Sequence, residues 1–279
     1  MKVNSVSNYQ IFKQKTYPSF RSTREHIVNS AGKAINCHYT NFNRTDINWS
    51  KFAEFIAQRF ANKPEIKINL FGCSDGSEVY TLMLAIKSLP QKIAEKFKIF
   101  ASDISEKMIM TAKNGKILLH DNDIAFLEKN NAMEFFAEDA KSDIKIMRGE
   151  NFYPHIVKED LRKNIEYSTK DVRKAVESEN FSGEVFMFRN GWTYNTLEEQ
   201  DKIAKNLNKN CDEKTLVVIG QSDLFKSDAN RALQDNGFKG IETDVFNPSE
   251  TDYVSDTIGQ PIVKCNYPEF LLFEKKNNL

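Results

Sequence analysis

The sequence predicts an α/β fold: a mostly parallel sheet flanked by helices, with a small inserted β-subdomain and an N-terminal helical extension. Beyond Lys63-Pro64-Glu65 the chain alternates short, strand-like apolar runs with helix-spaced apolar patterns, the order that builds a parallel sheet covered by helices. The first such run leads through a glycine-containing turn straight into a helical pattern. With 40% apolar and 11% aromatic residues, 21 of them Phe, the 279-residue chain has ample material for one main core and an accessory segment.

Residues 1 to about 50 mix Asn, Ser, Thr and aromatics without clean periodicity. Over 49–60, Phe52, Phe55, Ile56 and Phe60 fall at helical spacing, which closes an N-terminal extension (1–62) with an amphipathic helix. The unit from 63 to 279 then carries strands at 66–71, 97–102, 165–168, 185–189, 215–220 and 270–273. A helix over 79–89 lies between the first two and is stopped by Pro90. An insert at about 116–164 separates the second and third strands; its runs 143–147 and 153–158, around Arg148-Gly149-Glu150-Asn151, read as a β-hairpin or a surface loop.

The bulk composition excludes several classes of function. Lys plus Arg balances Asp plus Glu at 39 each, with no basic block interleaved with aromatics, so no nucleic-acid partner is expected. Cys37, Cys73, Cys211 and Cys265 are far apart, and the four histidines show no ligand spacing; reduced thiols and no metal site follow. No apolar run approaches membrane-spanning length and the first ten residues are polar. The expectation is a cytoplasmic protein without membrane insertion.

The most informative segment is Leu70-Phe71-Gly72-Cys73-Ser74-Asp75-Gly76-Ser77-Glu78-Val79-Tyr80. It occupies the place of a Rossmann-type cofactor turn, where glycines let the backbone approach a ligand at a helix N-terminus. A plain strand-to-helix turn fits two glycines equally well. The charges discriminate further: Asp75 and Glu78 sit where a pyrophosphate needs a helix dipole without anions, and the third glycine of the dinucleotide fingerprint is missing. A phosphate-free cofactor carrying sulfonium and ammonium cations suits this turn better. Glu78 also reads as an acid that complements its own helix dipole.

Asp103, at the end of the second strand, suits the two hydroxyls of a ribose, or a capping box with Glu106. Asp171, after the third strand, suits an adenine amino group or a helix cap.

Together these segments resemble the CheR-type chemotaxis receptor methyltransferases. Gly72 to Tyr80 is similar to that family's G-C-S-x-G-E-E-P-Y, with Ser77 replacing the first acid and Val79 the proline. Ala101-Ser102-Asp103-Ile104-Ser105 resembles A-T-D-I-S, and Ala112-Lys113-Asn114-Gly115 resembles A-x-x-G. Phe188-Arg189-Asn190-Gly191-Trp192-Thr193-Tyr194 is similar to C-R-N-V-L-I-Y-F, departing at Gly191, Trp192 and the following Asn195. Ile219-Gly220-Gln221-Ser222-Asp223 resembles G-H-S-E, and Thr40-Asn41-Phe42-Asn43-Arg44-Thr45-Asp46 resembles T-x-F-F-R-D.

The resemblance implies a Rossmann-like class I methyltransferase that takes a methyl group from S-adenosylmethionine, leaving S-adenosylhomocysteine, and places it on glutamate side chains of a protein such as a chemoreceptor. It implies Thr40, Gly72, Cys73, Ser74, Gly76, Glu78, Asp103, Asp171 and Asn190 as cofactor-binding residues, with Arg44 and Tyr194 as catalytic residues at the reacting end. The insert falls where some members carry a receptor-docking β-subdomain. Methyl transfer is an in-line displacement that needs alignment and exclusion of water, and a carboxylate acceptor needs no general base. The altered residues leave a non-catalytic S-adenosylmethionine-binding module as a second reading, and a small-molecule acceptor as a variant of the first.

Overall fold

Five parallel strands form the centre of the computed structural model, which describes residues 30–31, 40, 42–140, 152–178, 182–246 and 270–276. Strand β1 (Ile66–Phe71) pairs on one side with β2 (Phe97–Asp103). A second, antiparallel sheet follows in the chain, built from β3 (Lys116–His120), β4 (Phe136–Glu138) and β5 (Phe152–Val157) in the order β3-β5-β4. The chain then returns to the main sheet as β6 (Ile165–Thr169) beside β2, crosses to β7 (Val185–Phe188) on the other side of β1, and adds β8 (Leu216–Val218). The last strands, β9 (Phe238–Gly240) and β10 (Leu272–Lys275), complete the order β6-β2-β1-β7-β8-β10-β9, with β10 antiparallel to both neighbours.

Strand order reverses between β1 and β7, and in such sheets a crevice opens outside the carboxyl ends of the strands at that point. The apolar character of the runs explains why these strands lie in the middle. All four residues of β7 are buried, as are Ile66, Ile68, Leu70 and Phe71 of β1, as a sheet covered on both faces requires.

The helices are α1 (Trp49–Arg59), α2 (Ser77–Lys87), α3 (Gln91–Ala94), α4 (Glu106–Lys113), α5 (Asp121–Lys129), α6 (Glu159–Arg162), α7 (Val172–Ala175), α8 (Leu197–Asn210), α9 (Gln221–Lys226) and α10 (Ala229–Asp235). Helix α1 starts where the Asn48 side chain accepts the Lys51 N–H, and it buries Trp49, Phe52, Ala53 and Ile56. It packs on α2, and these side chains join Phe42 and Ile47 in the same core as the sheet. Burying Phe52 and Ile56 stabilises this seating by about 1.5–3 kcal/mol each. The segment ahead of β1 is thereby held beside the crevice.

The structure corrects several boundaries. Helix α2 spans Ser77–Lys87, starting earlier than the predicted 79, and Pro90 opens α3 as its N-cap. The final strand is displaced from 270–273 to Leu272–Lys275, and the short β3, β4 and β9 were not anticipated. The predicted hairpin half at 143–147 lies outside the described residues, whereas the half at 153–158 is β5, whose described partners are β3 and β4. Strands of three to five residues give too little alternation to be read from sequence. Among the described residues no helix is long and apolar enough to cross a membrane.

Candidate functional site

The crevice between β1 and β7 is walled by two turns that leave adjacent strands, Phe71 and Phe188 being paired in register. After β1 the backbone takes three left-handed residues, Gly72, Ser74 and Gly76. Asp103, at the end of β2, fixes this turn: one carboxylate oxygen accepts the Ser74 N–H at 2.9 Å and the other accepts the Ser105 N–H at 2.8 Å. Ser105, not Asp103, is the N-cap of α4. Asp75 folds back over the start of α2, taking the Ser77 N–H at 3.0 Å and the Ser77 hydroxyl at 2.6 Å.

After β7, Asn190 is also left-handed (φ 56°). Its backbone N–H reaches the buried Asp223 carboxylate at 2.5 Å, and its side-chain oxygen accepts the Ser222 N–H at 3.0 Å. Asp223 further accepts the N–H groups of Gly220 (2.9 Å) and Trp192 (3.1 Å). Burial pushes its carboxyl up to about 7 even though these donors favour the ionised form.

The third wall comes from the segment ahead of α1. Thr81 on α2 donates its hydroxyl to the Phe42 carbonyl at 2.8 Å, and the Trp49 indole donates to the Arg44 carbonyl at 3.3 Å. Arg189 borders the cleft with its side chain only 1% exposed. It donates from Nη2 to both Asp46 oxygens at 2.7 Å and from Nη1 to Glu78 Oε2 at 2.5 Å, with its guanidinium 5.3 Å from the centre of the Trp49 ring. Arg44 Nε approaches the same Glu78 oxygen at 3.7 Å and makes no hydrogen bond among the described residues. Burial alone would raise the Asp46 carboxyl, but Arg189 and Arg44 outweigh it and hold the group below its ordinary value. At Glu78 burial wins and the carboxyl rises, although the same two arginines oppose the shift.

These walls enclose a cleft of about 830 Å³, counting its open mouth. Of the residues predicted from sequence, Thr40, Arg44, Gly72, Ser74, Glu78, Asp103, Asp171, Asn190 and Tyr194 all line it. Cys73 and Gly76 do not. Cys73 is 1% exposed within the core, its thiol pushed well up by burial. Gly76 serves the fold: its φ is +89°, and a Cβ there would lie 2.8 Å from the Tyr80 ring. Asp171 lines the cleft and is also the N-cap of α7, accepting the Arg173 N–H while its carboxylate is gripped by the Arg173 guanidinium at 2.7–3.1 Å. Asp75 accepts the first N–H of α2, that of Ser77, without lining the cleft.

Sequence reasoning missed Arg189, Asp46, Asp223 and Phe188. A signal existed for the first: a charged residue closing an apolar strand run is buried only with a paired partner. The Phe188 ring lines the cleft and folds over Gly191, where any Cβ would come within 2.2 Å of it. The departure at Gly191 is thus the space that this ring requires.

The lining fits a cationic, phosphate-free nucleoside. Asp75 already occupies the Ser77 N–H at the start of α2, one of the donors that a phosphate would use. Glu78 and Asp103 present carboxylates at the glycine turn. No cluster of three His, Cys, Asp or Glu suited to a metal ion is found among the described residues, and Cys73 and Cys211 are free thiols; Cys37 and Cys265 lie outside them.

The model of the family described as CheR methyltransferase, SAM binding domain, matches residues 38–238. No protein of curated function matches the chain. Among solved structures, a TehB-like SAM-dependent methyltransferase from Corynebacterium glutamicum is 12% identical, covering 81% of this chain and 99% of its own, with a TM-score of 0.40. Magnesium protoporphyrin IX methyltransferase from Synechocystis, solved with bound SAM, is 14% identical over 69% of this chain and 70% of its own, with a TM-score of 0.35. TehB from Haemophilus influenzae is 14% identical over 61% of this chain, which spans only 39% of that protein, with a TM-score of 0.32.

Proposed function

This chain belongs to the CheR methyltransferase family and is an S-adenosylmethionine-dependent methyltransferase; from that premise we propose that it esterifies glutamate carboxylates on a protein partner such as a chemoreceptor. The observation that carries the choice of acceptor is Arg44. Arg44 lines the cleft together with Tyr194, and among the described residues its buried Nε–H has no hydrogen-bond acceptor, the Glu78 oxygen lying 3.7 Å away. A buried donor left without a partner is costly, and an entering carboxylate would satisfy it.

In this reading S-adenosylmethionine supplies an electrophilic methyl group on a sulfonium. Asp103 receives the ribose hydroxyls, Asp171 the adenine amino group, and Glu78 the amino group of the methionine moiety. Thr40, Gly72, Ser74 and Asn190 complete the binding surface, while Cys73 and Gly76 support the turn from behind. Arg44 orients the acceptor carboxylate, which is already ionised and needs no base. Tyr194 donates a hydrogen bond at the reacting end, and Phe188 and Phe71 keep water from the floor of the cleft.

The test is to incubate the protein with methyl-labelled S-adenosylmethionine and an extract of its own cells. Label on a protein band, released by mild alkali as esters are, is the expected result. Alkali-stable label, or label confined to small molecules, overturns the carboxylate acceptor.

A further inference from the structure

Among the described residues, Glu78 is the one carboxylate lining the cleft whose oxygen is approached by two arginines, the half-buried Arg44 and the buried Arg189, and Arg189 is tied in turn to Asp46 on a different wall. We infer that Arg189 is a positioning residue: through its fork it turns Glu78 so that the carboxylate meets the amino group of the cofactor, and through Asp46 it seats the segment that carries Arg44 against the cleft. The inference rests on the cofactor assignment above and adds a residue that borders the cleft with its guanidinium already engaged by Asp46 and Glu78.

Arg189 uses Nη2 for both Asp46 oxygens and Nη1 for Glu78 Oε2, so one planar group fixes two carboxylates from different parts of the chain. The Trp49 ring beside the guanidinium and the Gln221 N–H on Asp46 at 3.3 Å hold the fork itself in place. With Oε2 engaged by Arg189, rotation of the Glu78 carboxylate is restricted. A carboxylate so oriented gains a charge-assisted bond to an ammonium without paying for its own ordering. Asp46 and Glu78 together balance the charges of Arg189 and Arg44, which leaves the group neutral before the cofactor enters.

A residue that merely stabilises the fold would weaken binding of every ligand alike. A residue that acts through Glu78 weakens recognition of the amino group selectively. The experiment measures, by calorimetry, the affinity of S-adenosylhomocysteine and of its deaminated analogue, in which hydrogen replaces the amino group. The wild-type protein is expected to favour the amino compound by about tenfold or more. Glu78→Gln and Arg189→Met should each reduce that preference to about threefold or less. Arg189→Lys keeps the charge and the fold but lacks the fork, so it decides the matter if Arg189→Met does not fold; its preference should fall between those of the wild type and Glu78→Gln. A wild-type preference that survives in either folded Arg189 variant overturns the positioning role alone. A wild-type protein that binds neither compound overturns the cofactor assignment and this inference together, and one that binds both equally overturns the inference and leaves the assignment standing.

Discussion

Arg189 and Asp46 lie 143 positions apart in the chain and meet through two hydrogen bonds of 2.7 Å beside the cleft. Removing one member of a buried ion pair strands the other, at a cost of about 3–5 kcal/mol. Arg189→Met and Asp46→Leu should each lower the urea-unfolding free energy by an amount of that order. The double variant should lose less than the sum of the two, with a coupling of about 1–3 kcal/mol. Strict additivity would mean that the pair contributes nothing as a pair.

Asp103 joins the glycine turn to the end of β2 and lines the cleft. Replacing it by Ala removes an ionised acceptor, and a hydrogen bond to a charged group contributes about 1.5–3 kcal/mol. Affinity for S-adenosylhomocysteine, measured by calorimetry, should drop roughly tenfold or more, with little change in the far-ultraviolet circular dichroism. An unchanged affinity would remove Asp103 from the binding surface.

Gly76 and Cys73 stand behind the turn, so their variants should report on stability. Gly76→Ala places a Cβ 2.8 Å from the Tyr80 ring at a φ of +89°. Strain of this kind costs about 1–3 kcal/mol, which lowers the melting temperature by about 2–4 °C per kcal/mol in a chain of this size. Calorimetric melting curves check it.

Tyr194→Phe removes a hydroxyl from the cleft lining and leaves the ring. If that hydroxyl donates at the reacting end, turnover on the labelled protein acceptor should fall by about tenfold or more while cofactor affinity stays within about threefold. Equal losses in both would assign Tyr194 to binding.

Burial raises the Asp223 carboxyl from 3.8 to about 7, a shift that its backbone donors oppose. A folded value above the unfolded one gives a contribution that is fully present below the unfolded value and is lost as pH rises through the folded value. The wild-type unfolding free energy should therefore decline between about pH 4 and 7, by an amount on the order of 4 kcal/mol from this group. Asp223→Asn cannot ionise, so its unfolding free energy should show a shallower slope over the same window. Identical slopes in urea titrations at several pH values would refute the shift.

The sequence by itself determined the parallel-sheet fold, its central strands, and most of the cleft lining. Strand and helix periodicity and the glycine turn are local properties, and the acids Glu78, Asp103 and Asp171 follow fixed strand ends, so their spacing along the chain is already their placement in space. Only the tertiary structure decided that Cys73 faces the core, that Asp171 is gripped by Arg173, and that the buried Asp46, Glu78 and Arg189 join the half-buried Arg44 in one charge group. It also decided the partners of β5 and the fit of the Phe188 ring over Gly191. These features depend on which distant segments are brought together and on how much water remains between them, and no periodicity encodes either.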